Sequence, residues 1–154
     1  MAYARPSAVE VTVKNLQDKI PLYPKRIKKA ILNVLSKEGI KKSGEITVCF
    51  VDDNKIKELN KEYSGQAFPT DVLAFDYSKN TSEISADIAV STETAIRQSK
   101  IFKTTPLYEV YLYLIHGVLH LLGYDDDTLR KQARMQKRAE AILSSILFAK
   151  NVHP

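Results

Sequence analysis

Two of the three histidines in this 154-residue chain lie four residues apart. They belong to the run His116-Gly117-Val118-Leu119-His120-Leu121-Leu122-Gly123-Tyr124-Asp125-Asp126-Asp127. The pattern is H-x-x-x-H-x-x-G-x-x-D. Positions i and i+4 of a helix share a face, so both imidazoles can point at one ion. Gly123 stands where the helix must stop and suits a left-handed C-terminal cap. Asp126 can then swing back as a third ligand, at the spacing of the long zincin motif H-E-x-x-H-x-x-G-x-x-H. Three protein donors and one position open to water describe a catalytic metal centre. Zinc is the expected ion, one per chain, with another divalent transition metal as the alternative. The surrounding helix is otherwise apolar, and two polar rings there are costly without a partner.

The three aspartates divide the work. One must cap the last helix by accepting its free N–H groups, and Asp127 is assigned that place. Asp126 has the third-ligand spacing. Asp125 is left facing solvent, behind the ligands, or in the chemistry. In a zincin protease the residue after the first histidine is the glutamate that activates water. Here it is Gly117, so that mechanism lacks its base. A metal at this site still lowers the pKa of bound water toward about 7 and polarises an oxygen.

Around this motif the periodicity predicts an α+β domain. Val9–Val13 alternates as a strand. Pro21 and Pro24 open a helix to about Lys37, with Ile27, Ile31, Leu32 and Leu35 on its apolar face, and Gly39 closes it. Glu45–Val51 is a half-buried strand, and Asp52 or Asp53 caps a short helix to about Tyr63. Ser64–Pro69 is a loop. Asp71–Tyr77 and Ile84–Ser91 are strands that can pair as a hairpin across the polar turn between them. Ser91 or Thr92 caps a helix to about Lys100. Pro106 starts the histidine helix, which is apolar on nearly every face and therefore central. The last helix runs from about Thr128 to Ala149, with Leu129, Ala133, Ala139, Ile142, Leu143, Ile146 and Leu147 turned inward. The expected architecture is a single domain over residues 1–154: a mixed sheet of about four strands and five or six helices around a buried histidine helix.

Composition sets the remaining bounds. Apolar residues make up 44% and charged residues 27%, as in an ordinary globular domain. Cys49 is the only cysteine, which excludes an intrachain disulfide. Met1–Val13 lacks the layout of an export signal, and the apolar run Val110–Gly123 is too short to span a bilayer. Cytoplasm is the expected location, with no membrane partner. The net charge of +5 leans toward a polyanionic partner. Lysines and arginines cluster at 25–29, 37–42, 55–61 and 130–138, and each cluster also reads as a solvated helix face.

The histidine segment resembles the H-G-x-L-H-L-x-G-Y-D-H motif of the YbeY family, metal-dependent endoribonucleases of bacterial ribosomal RNA maturation. Pro69-Thr70-Asp71-Val72-Leu73-Ala74-Phe75 is similar to that family's P-T-[DN]-V-L-S-F strand. Ala86-Asp87-Ile88-Ala89-Val90-Ser91, followed by Glu93 and Arg97, is similar to its G-D-I-x-I-S segment and the next helix. The resemblance implies a zincin-like α+β fold, one zinc, and cleavage of single-stranded RNA. It further implies work at the 3′ end of small-subunit ribosomal RNA and in ribosome quality control, with ribosomal RNA and the ribosome as partners. Two positions depart from the family. Its third histidine falls on Asp126, which brings a charged oxygen in place of a ring nitrogen. The arginine it usually carries after the tyrosine of the preceding loop is Ser64, after Tyr63; Lys61 and Arg97 are the residues that could supply that charge to the RNA.

Three functions follow as expectations. The first is a zinc-dependent endoribonuclease in which His116, His120 and Asp126 hold the metal. Asp125 and Arg97 are its candidate catalytic residues, and Lys61 and Arg97 its candidate RNA contacts. The second is a metal-dependent protease or amide hydrolase, which the ligand spacing favours and Gly117 opposes. The third is a ribosome-binding module in which zinc only pins the helix to its loop.

Overall fold

The computed structural model describes residues 9–65 and 70–150, with the side chains of 147–150 excepted. Alternation in the sequence becomes a four-stranded mixed sheet. Strand β1 (Val9–Asn15) pairs in parallel with β2 (Ser43–Val51), and β2 in parallel with β4 (Glu83–Ser91). Strand β3 (Val72–Asp76) closes the edge antiparallel to β4, so the order is β1-β2-β4-β3. The expected hairpin is therefore present, with Val72 opposite Val90 and Asp76 opposite Ala86.

Because side chains alternate across a sheet, each strand presents one set of residues to the main core. From β2 these are Ile46, Val48 and Phe50, and from β4 Ile84, Ile88 and Val90, all buried. They pack with the apolar stripe of helix α1 (Pro24–Lys37) and with helix α4 (Pro106–Leu121). The opposite face is covered locally by α2 (Asp53–Ser64), where Ile56 and Leu59 meet Val51, Ala89 and Leu73. Helix α3 (Thr92–Phe102) follows β4 and packs on α4, as does α5 (Leu129–Lys150).

The histidine helix is central, as its composition predicts. Ten of the sixteen residues of α4 are buried, and it touches β3, β4, α1, α3 and α5. Its contact with the sheet depends on Gly117. A Cβ there would stand 2.9 Å from Ile88 Cγ2 and 3.1 Å from Val72 Cγ2. Ile88 is fully buried, so either it or the helix must shift to admit a side chain at 117. Gly117 is thus the point at which the helix comes down onto β3 and β4, a role its sequence context did not disclose.

Caps follow the sequence at most helix starts. Asp52 accepts from the Lys55 amide at 2.8 Å, Ser91 from Thr94 at 3.2 Å, and Thr105 from Tyr108 at 3.2 Å. Helix α5 differs from expectation. Its cap is Thr128, whose hydroxyl accepts from the Lys131 amide at 3.1 Å, while Asp127 instead pairs with the Lys131 ammonium at 3.2 Å. The inward face of α5 also differs at its start. Leu129 is 83% exposed and Ala133 is exposed; Met135 is the first buried residue, followed by Ala139, Ile142, Leu143 and Ile146. The first turn of α5 lies beside the cavity that holds the histidines rather than on the core. Leu32 of α1, expected inward, is likewise exposed. The inward placement of Leu147 and the loop at 66–69, including Pro69 of the strand motif, lie outside what is described. Five helices and four strands occur among the described residues, and none of these helices is long and apolar enough to cross a membrane.

Candidate metal centre and substrate cavity

Helix α4 carries its polar side chains on one stripe. Glu109, Tyr113, His116 and His120 follow the i, i+4, i+7, i+11 spacing that keeps residues on one helical face. The helix ends in a double hydrogen-bonded turn: the Gly123 amide donates to His120 O and the Tyr124 amide to Leu119 O, both at 3.1 Å. Gly123 has φ 101°, in the region where glycine is favoured. This turn sends the chain back beside the histidines and places Asp126 Oδ2 3.7 Å from His120 Nε2.

His116, His120 and Asp126 wall one open cavity of about 320 Å³, together with Asp71, Gln132 and Gln136. His116 is partly buried. Its burial pushes the pKa below the ordinary histidine range, and the neighbouring His120 adds to this. Asp71, a hydrogen bond with the Gln136 side chain, and Glu140 oppose the shift without reversing it. The net downward shift favours the neutral ring, the state a metal ligand requires. The side chains of His120 and Asp126 are 32% and 61% exposed. Among the described residues, no three His, Cys, Asp or Glu side chains are drawn close enough to hold a metal as they stand.

The other sequence candidates separate. Asp125 turns away to Lys131, at 3.3 Å, and lines a different surface cavity with Tyr124 and Arg134. Lys61 is exposed on α2 and borders neither histidine cavity. Arg97 does reach the site's surroundings. It lines a larger cavity of about 730 Å³ that shares Thr70, Asp71, His116 and Gln136 with the first. Its guanidinium pairs with Asp53, and it also donates to Thr94 Oγ1 at 3.0 Å. Asp53 in turn accepts from the Ser91 and Thr94 hydroxyls at 2.7 and 2.8 Å. Burial alone would raise the Asp53 pKa, but the hydrogen bonds from Arg97, Ser91 and Thr94 outweigh it and hold the carboxyl below its usual range.

Sequence reasoning missed the residues that α5 contributes. Gln132 and Gln136 stand one turn apart on its wall of the histidine cavity, and Glu140 continues that spacing into the larger one. Their i, i+4, i+8 spacing was a usable signal, because it marks a polar stripe beside the apolar one. Glu109 and Tyr113 were also missed, although an acidic residue inside an apolar helix and in phase with both histidines was visible.

Comparison with known proteins identifies the family. Residues 11–147 match the family model described as "Endoribonuclease YbeY". Among curated relatives, the Endoribonuclease YbeY of Moorella thermoacetica is 38% identical over 120 residues, covering 71% of this chain and 77% of the relative. That of Carboxydothermus hydrogenoformans is 35% identical, covering 87% and 95%, and that of Acetivibrio thermocellus 33% identical, covering 93% and 100%. The solution structure of TM1509 from Thermotoga maritima shares the fold, with a TM-score of 0.64 at 24% identity over 90% of both chains. The extent of these matches, across all the elements that build the cavity, places the chain in the YbeY endoribonuclease family.

Proposed function

We propose that this chain is a cytoplasmic, single-domain, metal-dependent endoribonuclease that cuts single-stranded RNA, with ribosomal RNA and the ribosome as its setting. The observation that carries the reading is the sharing of one open cavity by His116, His120 and Asp126, in a chain of an endoribonuclease family. Two imidazoles and one carboxylate suit zinc or another divalent transition metal. His116 and His120 are the two nitrogen ligands, one turn apart on a rigid buried helix. Asp126 is the third, an exposed side chain on the loop after the glycine turn that must close toward His120 to join them. When bound, such an ion lowers the pKa of water and polarises a phosphate oxygen.

The protein's own groups do the rest. Gln136 fixes the His116 ring by a hydrogen bond to it. Arg97 presents its guanidinium to the adjoining cavity, oriented by Asp53 and Thr94, where a phosphate of the bound strand can reach it. A peptide-hydrolysing mechanism is disfavoured on steric grounds. The protease base would occupy position 117, where even a Cβ meets Ile88 and Val72.

The test is metal analysis of the purified protein paired with digestion of an unstructured RNA, comparing the native chain with His116→Ala. Loss of both bound metal and cleavage is expected. A variant that keeps both would overturn the proposal.

A further inference from the structure

The larger cavity contains a group that metal-dependent cleavage does not use. Glu109, in the first turn of α4, is 3% exposed yet lines this cavity. Its Oε2 accepts from the Thr104 hydroxyl at 2.6 Å and its Oε1 from the Tyr113 hydroxyl at 3.3 Å. A carboxylate offers about four acceptor positions, so these two donors leave part of its capacity unused. No ion pair among the described residues engages it. Burying a carboxylate without a cation is costly unless further donors arrive. Burial and the Glu109 charge both push the Tyr113 pKa upward, so its hydroxyl stays protonated and pointed at the carboxylate.

The surroundings indicate the missing donor. Phe102, 64% exposed, and Tyr108, half-buried, present aromatic surface to the same cavity. Arg97 supplies a cation and His116 lies at the junction with the histidine cavity. Glu109 and His116 are seven positions apart on the helix, a rise of about 10 Å. Aromatic walls, a buried acceptor and a cation toward the proposed metal are what an unpaired nucleotide next to a scissile phosphate needs. Unpaired bases are commonly held by stacking and read at their Watson–Crick edge.

We infer that this cavity is a base-reading subsite, in which Glu109 accepts a hydrogen bond from the exocyclic amino group of an unpaired nucleobase and so favours cytosine over uracil. The inference rests on RNA being the substrate. Cytosine places its N4 amino group where uracil places the O4 carbonyl, and a carboxylate attracts the first and repels the second. Polar mismatches of this kind discriminate strongly because they leave buried groups unpaired.

The experiment is fluorescence anisotropy with end-labelled oligocytidylate and oligouridylate of equal length, using the full chain, with cleavage of the same strands followed in parallel. The native protein is expected to bind the cytidine strand about tenfold more tightly. Glu109→Gln keeps the shape but adds an amide donor that serves uracil O4, so the ratio should fall to about one or invert, with metal content unchanged. Phe102→Ala, at an exposed position, should weaken both strands by about five- to tenfold and leave the ratio intact. A native ratio of one, a Glu109→Gln variant that retains the preference, or a Phe102→Ala variant with unaltered affinities overturns the inference. Binding without preference removes only this inference. Failure to bind either strand removes the RNA reading and this inference with it.

Discussion

Asp126 is the residue on which the proposed metal centre turns, because it alone departs from a three-nitrogen donor set. Its carboxylate lies 3.7 Å from His120 Nε2, while Asp125 is tied to Lys131. Neighbouring aspartates therefore predict different outcomes. Asp126→Ala should weaken metal binding by about tenfold or more, as loss of a supporting ligand does, whereas Asp125→Ala should leave it unchanged. Asp126→His should restore binding. Metal titration with a colorimetric chelator separates the three variants, and equal effects from Asp125→Ala and Asp126→Ala would remove Asp126 from the ligand set. Much at this scale was legible in the sequence. Helical spacing alone puts His116 and His120 on one face, and the glycine turn returns the chain to them. Which residue caps α5 was not legible, because aspartate and threonine side chains can both accept from the free amides at a helix start. The choice of Thr128 follows from the path of the turn, which leaves Asp127 facing Lys131.

At the scale of elements, the histidine cavity lies where α4 comes down onto β3 and β4 at Gly117. Gly117→Ala should shift the helix away from Ile88 and Val72 or compress them, at a cost of about 1–3 kcal/mol. That corresponds to a melting temperature lower by roughly 3–10 °C for a domain of this size. Thermal unfolding followed by circular dichroism checks it, and an unchanged melting temperature would show that the sheet can yield. Periodicity disclosed the strands, the helices and the centrality of α4, since each depends on local spacing. Parallel pairing of β1, β2 and β4 depends on distant partners and left no local mark. The outward turn of Leu129 and Ala133 has a similar origin. Helix α5 opens beside a cavity lined by Gln132 and Gln136, so its first apolar residues meet no core. A hydrophobic stripe in the sequence shows which face turns inward, but not where along the helix the core begins.

For the whole molecule, charge and pH carry the remaining consequences. With a net charge of +5, binding of a single strand should release counterions and weaken with salt. Between 50 and 200 mM salt a fall on the order of tenfold to a hundredfold is expected, and affinity independent of salt would argue against phosphate contacts. Acid should act through Asp53, which joins three elements: it opens α2, accepts from Ser91 at the end of β4, and pairs with Arg97 of α3. Its pKa is depressed in the folded protein. The unfolded chain therefore binds this proton more readily, so the stabilisation is fully present above the unfolded value of about 3.9. It disappears as pH falls through the lower folded value. Arg97 is half-exposed, which screens its share of the interaction. Asp53→Asn should accordingly cost about 1–2 kcal/mol near neutral pH. The gap between native and variant should stay constant down to about pH 5 and narrow below about pH 4. Urea unfolding at pH 7, 5 and 3 measures that gap. A difference that widens toward acid would mean that the folded state raises the Asp53 pKa, and that the network binding α2 and β4 to α3 does not rest on its charge.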